Sequence, residues 1–246
     1  MGRRDGEWEI GATCPLESRA AVRVRNRQQE RHALRRIIEE EVRQTAHFTG
    51  RRQLAARVLD ALEAVPRERF VPDYEVDSAY ANVPLPIGHR QTISQPYIVA
   101  LMTDLLDPEP SDVILEIGTG SGYQAAVLAG LVAAVYSVEV IPELASRAAA
   151  VLAGLGYDNV VTRAGDGNLG WPEHAPYDGI IVTAGARTVP PALIEQLKPG
   201  AALVIPVQAD GYGQVLQRIT CDADGRVDTR DVLPVAFVPL VSTSPR

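Results

Sequence analysis

Between residues 113 and 207 the chain repeats one pattern: a short apolar run, then a stretch whose apolar positions recur at helical spacing. Runs at 113–117, 135–139, 160–163, 179–183 and 202–207 have strand length, and helices are expected at 122–131, 142–155 and 190–197. A mainly apolar strand must be covered on both faces, and a helix between successive strands makes them parallel. The chain is thereby confined to the α/β class, as a doubly wound, mostly parallel sheet. Past Pro206 the pattern changes. Two successive strands, 214–220 and 232–240, joined through Asp224-Gly225, predict an antiparallel C-terminal hairpin.

The first run leads directly into Leu115-Glu116-Ile117-Gly118-Thr119-Gly120-Ser121-Gly122-Tyr123. A glycine-rich turn leaving a buried strand is where an α/β sheet receives a nucleotide-like ligand. Glycine accepts positive φ and lets a ligand approach the backbone with no β-carbon in the way. Glu139 closes the second strand, 21 residues after Gly118, at the offset where an acid meets a ribose hydroxyl pair. Gly165-Asp166-Gly167 follows the third strand, although Asp166 alone reads equally as a turn residue. A dinucleotide fold favours G-x-G-x-x-G; here the third glycine comes one residue early and Tyr123 takes its place. Glu116, two residues before the first glycine, suits a carboxylate facing a cationic ligand end. Acid-x-Gly-x-Gly-x-Gly looks like the S-adenosyl-L-methionine turn, with no pyrophosphate to cradle and a charged amino-acid end to hold. A dinucleotide-dependent oxidoreductase is the competing reading.

Upstream, Leu34, Ile37, Ile38 and Val42 predict a helix over 28–48, and Leu54, Val58, Leu59 and Leu62 another over 52–64. Val65-Pro66 ends the second, because the residue before a proline is pushed out of helical backbone. Residues 66–95 read as irregular, punctuated by Pro66, Pro72, Pro84, Pro86 and Gly88 and anchored by Phe70, Tyr74 and Tyr80. So long a segment inside a domain marks a lid or a binding loop. A helix at 96–106 follows, with Ile98, Leu101, Met102 and Leu105 as its buried stripe. The expected organisation is a loosely ordered basic tail at 1–27, helices and a substrate-facing loop at 28–95, and a binding core at 96–246. The last two form one compact unit.

Composition narrows the functional classes. With 46% hydrophobic and 22% charged residues, the chain can bury an ordinary core. No apolar run reaches the roughly 18 residues that crossing a bilayer takes, so no membrane association is expected, and no secretory leader is evident. Net charge is −7, which argues against nucleic acid as a partner, since phosphate contacts need concentrated Lys and Arg. Residues 1–36 carry +4 and the remainder −11; the basic stretch reads as a solvated tail. Cys14 and Cys221 suffice for neither a disulfide framework nor a metal cage. A cytoplasmic monomer without a metal is expected.

The polar loop Gln91-Thr92-Ile93-Ser94-Gln95-Pro96 should lie against the glycine turn. On its residues alone, Ser94 reads as the N-cap of helix 96–106, with proline in the first turn. A nucleophilic serine needs a nearby histidine, and the chain has only His32, His47, His89 and His174 and no G-x-S-x-G elbow. Hydrolase chemistry is disfavoured, and His89 reads as a loop-packing residue.

Several blocks, taken in order, resemble the protein-L-isoaspartate O-methyltransferase family. They are Val65-Pro66-Arg67-Glu68-Arg69-Phe70-Val71-Pro72, Pro84-Leu85-Pro86-Ile87-Gly88, the 91–96 loop and residues 116–124. Tyr136-Ser137-Val138-Glu139, Gly165-Asp166-Gly167, Leu169-Gly170-Trp171-Pro172 and Gln196-Leu197-Lys198-Pro199-Gly200 continue it, so that the similarity runs from about residue 30 to 241. The resemblance implies methyl transfer from S-adenosyl-L-methionine to the free carboxylate of isoaspartyl residues in damaged proteins or peptides. The ester then closes to a succinimide, whose hydrolysis partly restores aspartate. By position in the family motif, Ser94 is the catalytic residue. Gly118, Thr119 and Gly120 would face the cofactor, Glu139 its ribose, and Asp166 with Gly167 the adenine side. No general base is needed, because a carboxylate with an ordinary pKa of about 4 is already ionised at neutral pH.

The chain departs from the family pattern at three places. Tyr80-Ala81-Asn82 stands where Tyr-Glu-Asp is usual, Arg90 where glycine is common and Arg187 where proline is common. Two added arginines at the rim predict a leaning toward acidic peptides. The same chemistry on a dedicated peptide aspartate, or a non-catalytic binding module, are the further alternatives.

Overall fold

The computed structural model describes residues 19–209, 211 and 213–242. Two helices come first, α1 (Arg19–Thr49) and α2 (Ala56–Ala64). α1 begins ahead of the expected residue 28, so that residues 19–27 of the tail expected over 1–27 are helical, and residues 1–18 of it lie outside the described residues. α2 stops where the proline requires: Val65 turns to extended backbone, with φ −76° and ψ 123°.

Residues 66–95 carry more order than their composition suggests. Short 3-10 turns at Arg67–Arg69 and Asp73–Ser78 lead into an antiparallel hairpin of β1 (Leu85–Gly88) and β2 (Gln91–Ile93). His89 and Arg90 form its tip with φ of 51° and 59°, the left-handed pair that a type I′ turn requires. The glycine common at the position of Arg90 thus has a backbone reason. Arg147 fastens the hairpin from outside, its Nη2 donating to the Ile87 carbonyl at 2.6 Å.

α3 (Pro96–Leu106) opens the core and is followed by β3 (Val113–Ile117), α4 (Tyr123–Ala129), β4 (Ala134–Glu139), α5 (Pro142–Gly154) and β5 (Val160–Ala164). β6 (Tyr177–Val182), α6 (Pro191–Glu195), β7 (Leu197–Gln208), β8 (Gln214–Cys221) and β9 (Val227–Val235) complete it. The strands form one sheet in the order β5-β4-β3-β6-β7-β8-β9. It is parallel from β5 to β7 and antiparallel through β8 and β9, as expected.

Two boundaries differ from the sequence reading. Leu197 belongs to β7 rather than to a helix, because Pro199 forces the residue before it into extended backbone and Leu197 pairs with Tyr177. β9 is displaced as a whole, Val227–Val235 rather than 232–240, since it pairs with β8 from Cys221 opposite Val227 to Gln214 opposite Val235. Residues 236–242 leave the ladder as a strap across the carboxyl ends of the strands. The Leu240 amide donates to the Gly185 carbonyl at 2.8 Å, and the Gly185 amide donates to Val238 at the same distance.

Neighbouring residues of one strand feed opposite cores. Ile114, Ile181, Ala202 and Val204 pack with α1, α2, α3 and α4, while Leu115, Ile180, Val182, Leu203 and Ile205 pack with Trp171, Leu193 and Ile219. Both faces being covered is why these runs carry little polar alternation. Among the described residues no helix is long and apolar enough to cross a membrane.

Candidate active site

The strand order reverses between β3 and β6, and a crevice opens there beyond their carboxyl ends. Its lining combines the glycine turn 117–121, Glu139 and Val140 past β4, Gly167, Thr183 and Ala184 past β6, the loop 91–94 and the strap 238–241. Sequence periodicity had no means of placing the strap, which reaches the crevice only after the hairpin has turned back.

The turn is pinned from three sides. Gly118 has φ +97°, and a β-carbon there would stand 2.5 Å from Thr183 Oγ1. That hydroxyl donates to the Gly118 carbonyl at 2.6 Å. The Gly120 amide donates to Glu139 Oε2 at 2.7 Å, and the Ile141 amide donates to Oε1 at 3.0 Å. Glu139 therefore joins the end of β4 to the turn and still presents its carboxylate to the crevice. Around Gly120 (φ +54°) a β-carbon would meet nothing nearer than Ile87 Cδ1 at 3.6 Å, so the backbone is left open to a ligand.

Thr119 faces inward instead. Its hydroxyl lies 2.5 Å from Ser137 Oγ, and Ser137 in turn donates to Glu116 Oε2. Thr119 can thus offer a ligand only its backbone. Glu116 does not face a cationic ligand end: it is fully buried beneath the turn and absent from the crevice lining. Burial, with the Glu139 charge adding to it against the Ser137 hydrogen bond, pushes the Glu116 carboxyl up to about 8. Spacing alone brought Glu116 near the turn but could not say which side of the strand it would take.

Asp166 caps the short turn Gly167–Leu169. Its Oδ1 accepts from the Asn168 amide at 2.9 Å, and Oδ2 accepts from the Ser242 hydroxyl at 2.5 Å. Gly167 lines the crevice beside it, and a β-carbon there would stand 2.3 Å from Ile117 Cγ2, so only glycine lets this turn close on β3.

Ser94 is not the helix cap. Gln95 occupies that position with no side-chain capping bond, and Pro96 opens the first turn. The Ser94 hydroxyl has no protein partner among the described residues and stands where the crevice meets a second concavity. What fixes Ser94 is its backbone. Arg67, fully buried, donates Nη2 to the Ser94 carbonyl and Nε to the Ala79 carbonyl, each at 2.9 Å. Its guanidinium lies 4.7 Å from the centre of the Tyr123 ring, linking this loop to the first turn of α4. Burial pulls the Arg67 pKa down from its usual value, with Tyr123 opposing. Arg67 and Thr183 were visible in the sequence blocks, but no local signal assigned them a role.

The second concavity is a groove of about 490 Å³ that shares Thr92, Ser94, Thr183 and Val238 with the crevice. Glu41 and Thr45 of α1, Pro84 and Gln95, Tyr97 and Ile98 of α3, and residues 233–237 form the rest of its walls. Arg90 and Arg187 are exposed and line neither cavity, so the leaning toward acidic peptides that they suggested has no basis in the walls. Among the described residues no group of His, Cys, Asp and Glu is arranged to hold a metal.

A family model described as protein-L-isoaspartate(D-aspartate) O-methyltransferase matches residues 43–245. The chain belongs to that family. It is similar to the protein-L-isoaspartate O-methyltransferase 2 of Syntrophobacter fumaroxidans, with 55% identity over 83% of each chain. Identity to the protein-L-isoaspartate O-methyltransferase 1 of Cupriavidus necator is 57%, over 78% of this chain and 74% of that one. Among solved structures, a protein-L-isoaspartate O-methyltransferase aligns at TM-score 0.74 and 28% identity, covering 85% of this chain and 65% of the other. A Plasmodium falciparum structure solved in complex with S-adenosyl-L-homocysteine shares the fold at TM-score 0.68 and 23% identity. As a member of that family, the chain is a methyltransferase whose cofactor is S-adenosyl-L-methionine.

Proposed function

We propose that this chain methylates the free carboxylate of L-isoaspartyl residues in damaged proteins and peptides, initiating repair through a succinimide. The observation that carries the reading is the junction at Ser94: crevice and groove join along Thr92, Ser94, Thr183 and Val238, and a ligand in the one and a peptide in the other would meet there. The crevice residues fit the cofactor, with backbone open at Gly120 and the Glu139 carboxylate at the ribose offset. When bound, S-adenosyl-L-methionine supplies an electrophilic methyl carbon on a sulfonium centre.

The protein's work is then positioning. Gly118, Thr119 and Gly120 shape the turn that receives the cofactor, Glu139 accepts from its ribose hydroxyls, and Gly167 with Asp166 closes the adenine side. Ser94 donates its free hydroxyl to the substrate carboxylate and holds it in line with the methyl carbon. Such orientation can supply roughly 7–11 kcal/mol of a barrier, and no side chain has to remove a proton. The reading includes a cytoplasmic monomer that acts on proteins and not on nucleic acid; the net charge of −7 supports the last point.

The test is incorporation of labelled methyl groups into an isoaspartyl peptide beside its normal aspartyl twin. Labelling of the isoaspartyl peptide alone is expected. Equal labelling of both favours a dedicated peptide aspartate, and labelling of neither by enzyme that binds the cofactor overturns the reading.

A further inference from the structure

The groove beside Ser94 contains one charged side chain. Glu41, half-buried on α1, faces it, and the remaining walls are apolar or neutral. Tyr97 adds no charge: burial first, then the Glu41 carboxylate, raises its hydroxyl pKa, while a hydrogen bond with Thr45 works the other way.

The Glu41 carboxylate is held by two neutral amides and by no cation among the described residues. Asn82 Nδ2 donates to Oε2 at 2.5 Å, and Gln95 Nε2 lies 3.1 and 3.2 Å from the two oxygens. The orientation of Asn82 is forced, because its Oδ1 accepts from the Tyr97 amide at 3.0 Å and leaves the NH2 group for Glu41. An aspartate at 82, usual in the family pattern, would set a second carboxylate against Glu41. Asn82 removes that repulsion without bringing a cation to Glu41. Gln95, the residue after Ser94, ties that charge to the reacting loop.

Neutral amides orient a carboxylate without neutralising it. A charge left so at the wall of a peptide groove attracts cations and repels anions, and the low polarity of the other walls weakens its screening. We propose that Glu41 is a specificity-determining residue that makes the groove favour isoaspartyl peptides with a Lys or Arg flanking the isoaspartate. The inference rests on the repair-methyltransferase reading.

Three isoaspartyl peptides test it, identical except for Lys, Ala or Glu at the positions flanking the isoaspartate. With the native chain at low salt, kcat/KM for the Lys peptide should exceed that for the Glu peptide by about fivefold to tenfold, the attraction of the one and the repulsion of the other each lying within the range of exposed ion pairs. The difference should lie in KM rather than kcat, since it concerns attraction and not orientation. In Glu41→Gln the ratio should fall to about one, whatever the overall rate of that variant. Raising the salt concentration should shrink the ratio in the native chain, a readout that does not depend on how any variant folds. Equal use of the three peptides, a preference for the Glu peptide, or a ratio unchanged in Glu41→Gln would overturn the assignment. Failure to methylate even the Ala peptide would instead remove the underlying functional reading.

Discussion

The inner wall of the crevice comes from residues 117–141, close in sequence and pinned to the central strands, with the 91–94 loop, Gly167, Thr183, Ala184 and the strap around it. The groove wall draws on α1, the 79–95 loop and residues 233–238, far apart in the chain and joined by a few polar contacts. In the first wall the geometry lies in the backbone of a glycine turn at positive φ, whose Gly118 carbonyl and Gly120 amide are held by the Thr183 hydroxyl and the Glu139 carboxylate. In the second, side chains carry it: Glu41 with Asn82 and Gln95, Arg67 with three carbonyls, Gln214 with both backbone groups of Phe237. Backbone geometry admits few substitutions, whereas a side-chain contact can be exchanged without moving the sheet. On the proposed reading the cofactor is held by the rigid wall and substrate preference is set by the adjustable one, with Ser94 between them.

Gly118→Ala should break the rigid wall most severely. The positive φ and the approach to Thr183 act together, and a loss of about 2–4 kcal/mol is expected. Chemical denaturation together with calorimetric cofactor titration checks it; unimpaired cofactor binding would mean that the turn is not the binding element. Ser94→Ala sharpens the boundary between the walls. Loss of one hydrogen bond to a charged group, about 1.5–3 kcal/mol, should lower kcat by about 10- to 100-fold and leave cofactor affinity as it was.

Glu116→Gln should alter stability in a pH-dependent way, least in acid and most near pH 8. The folded carboxyl is raised from 4.5 to about 8, so between those values the folded state keeps a proton that the unfolded state has released. Stability from this group is thus present below about 4.5 and is lost as the pH climbs to about 8. Glutamine, which resembles the protonated acid, should flatten that decline in thermal melts recorded across the range; an unchanged decline would show that another group is responsible. Arg90→Gly should have the smallest effect and the opposite sign. It relieves a left-handed non-glycine residue at the hairpin tip, offset in part by greater freedom of the unfolded chain, for a gain of up to about 1 kcal/mol. A lower melting temperature in that variant would show that the Arg90 side chain contributes more than its backbone costs.

Legibility followed the same division. The parallel sheet, the glycine turn and the position of Glu139 could be read because each depends on residues within one βαβ unit, where period and spacing are informative. Glu116 shows the limit of spacing: a strand residue's offset is legible, but not whether its carboxylate meets a ligand or a buried Ser137. Ser94 shows another. A hydroxyl before Gln95-Pro96 has the composition of a cap, yet the loop is held by the distant Arg67, which leaves the hydroxyl free. The last strand was placed five residues too late at equal length, because its span is set by its pairing with β8 and not by its own residues.

By itself the amino-acid order determined the α/β class, the succession of its strands and the turn that meets the cofactor. Those follow from apolar periodicity and from glycine's freedom at positive φ, both local properties. Only the tertiary structure decided that the strap roofs the crevice, that Arg67 holds Ser94, and that Glu41 faces the groove uncompensated. Each of those contacts joins segments many residues apart, and such pairings exist only once the sheet and helices have packed.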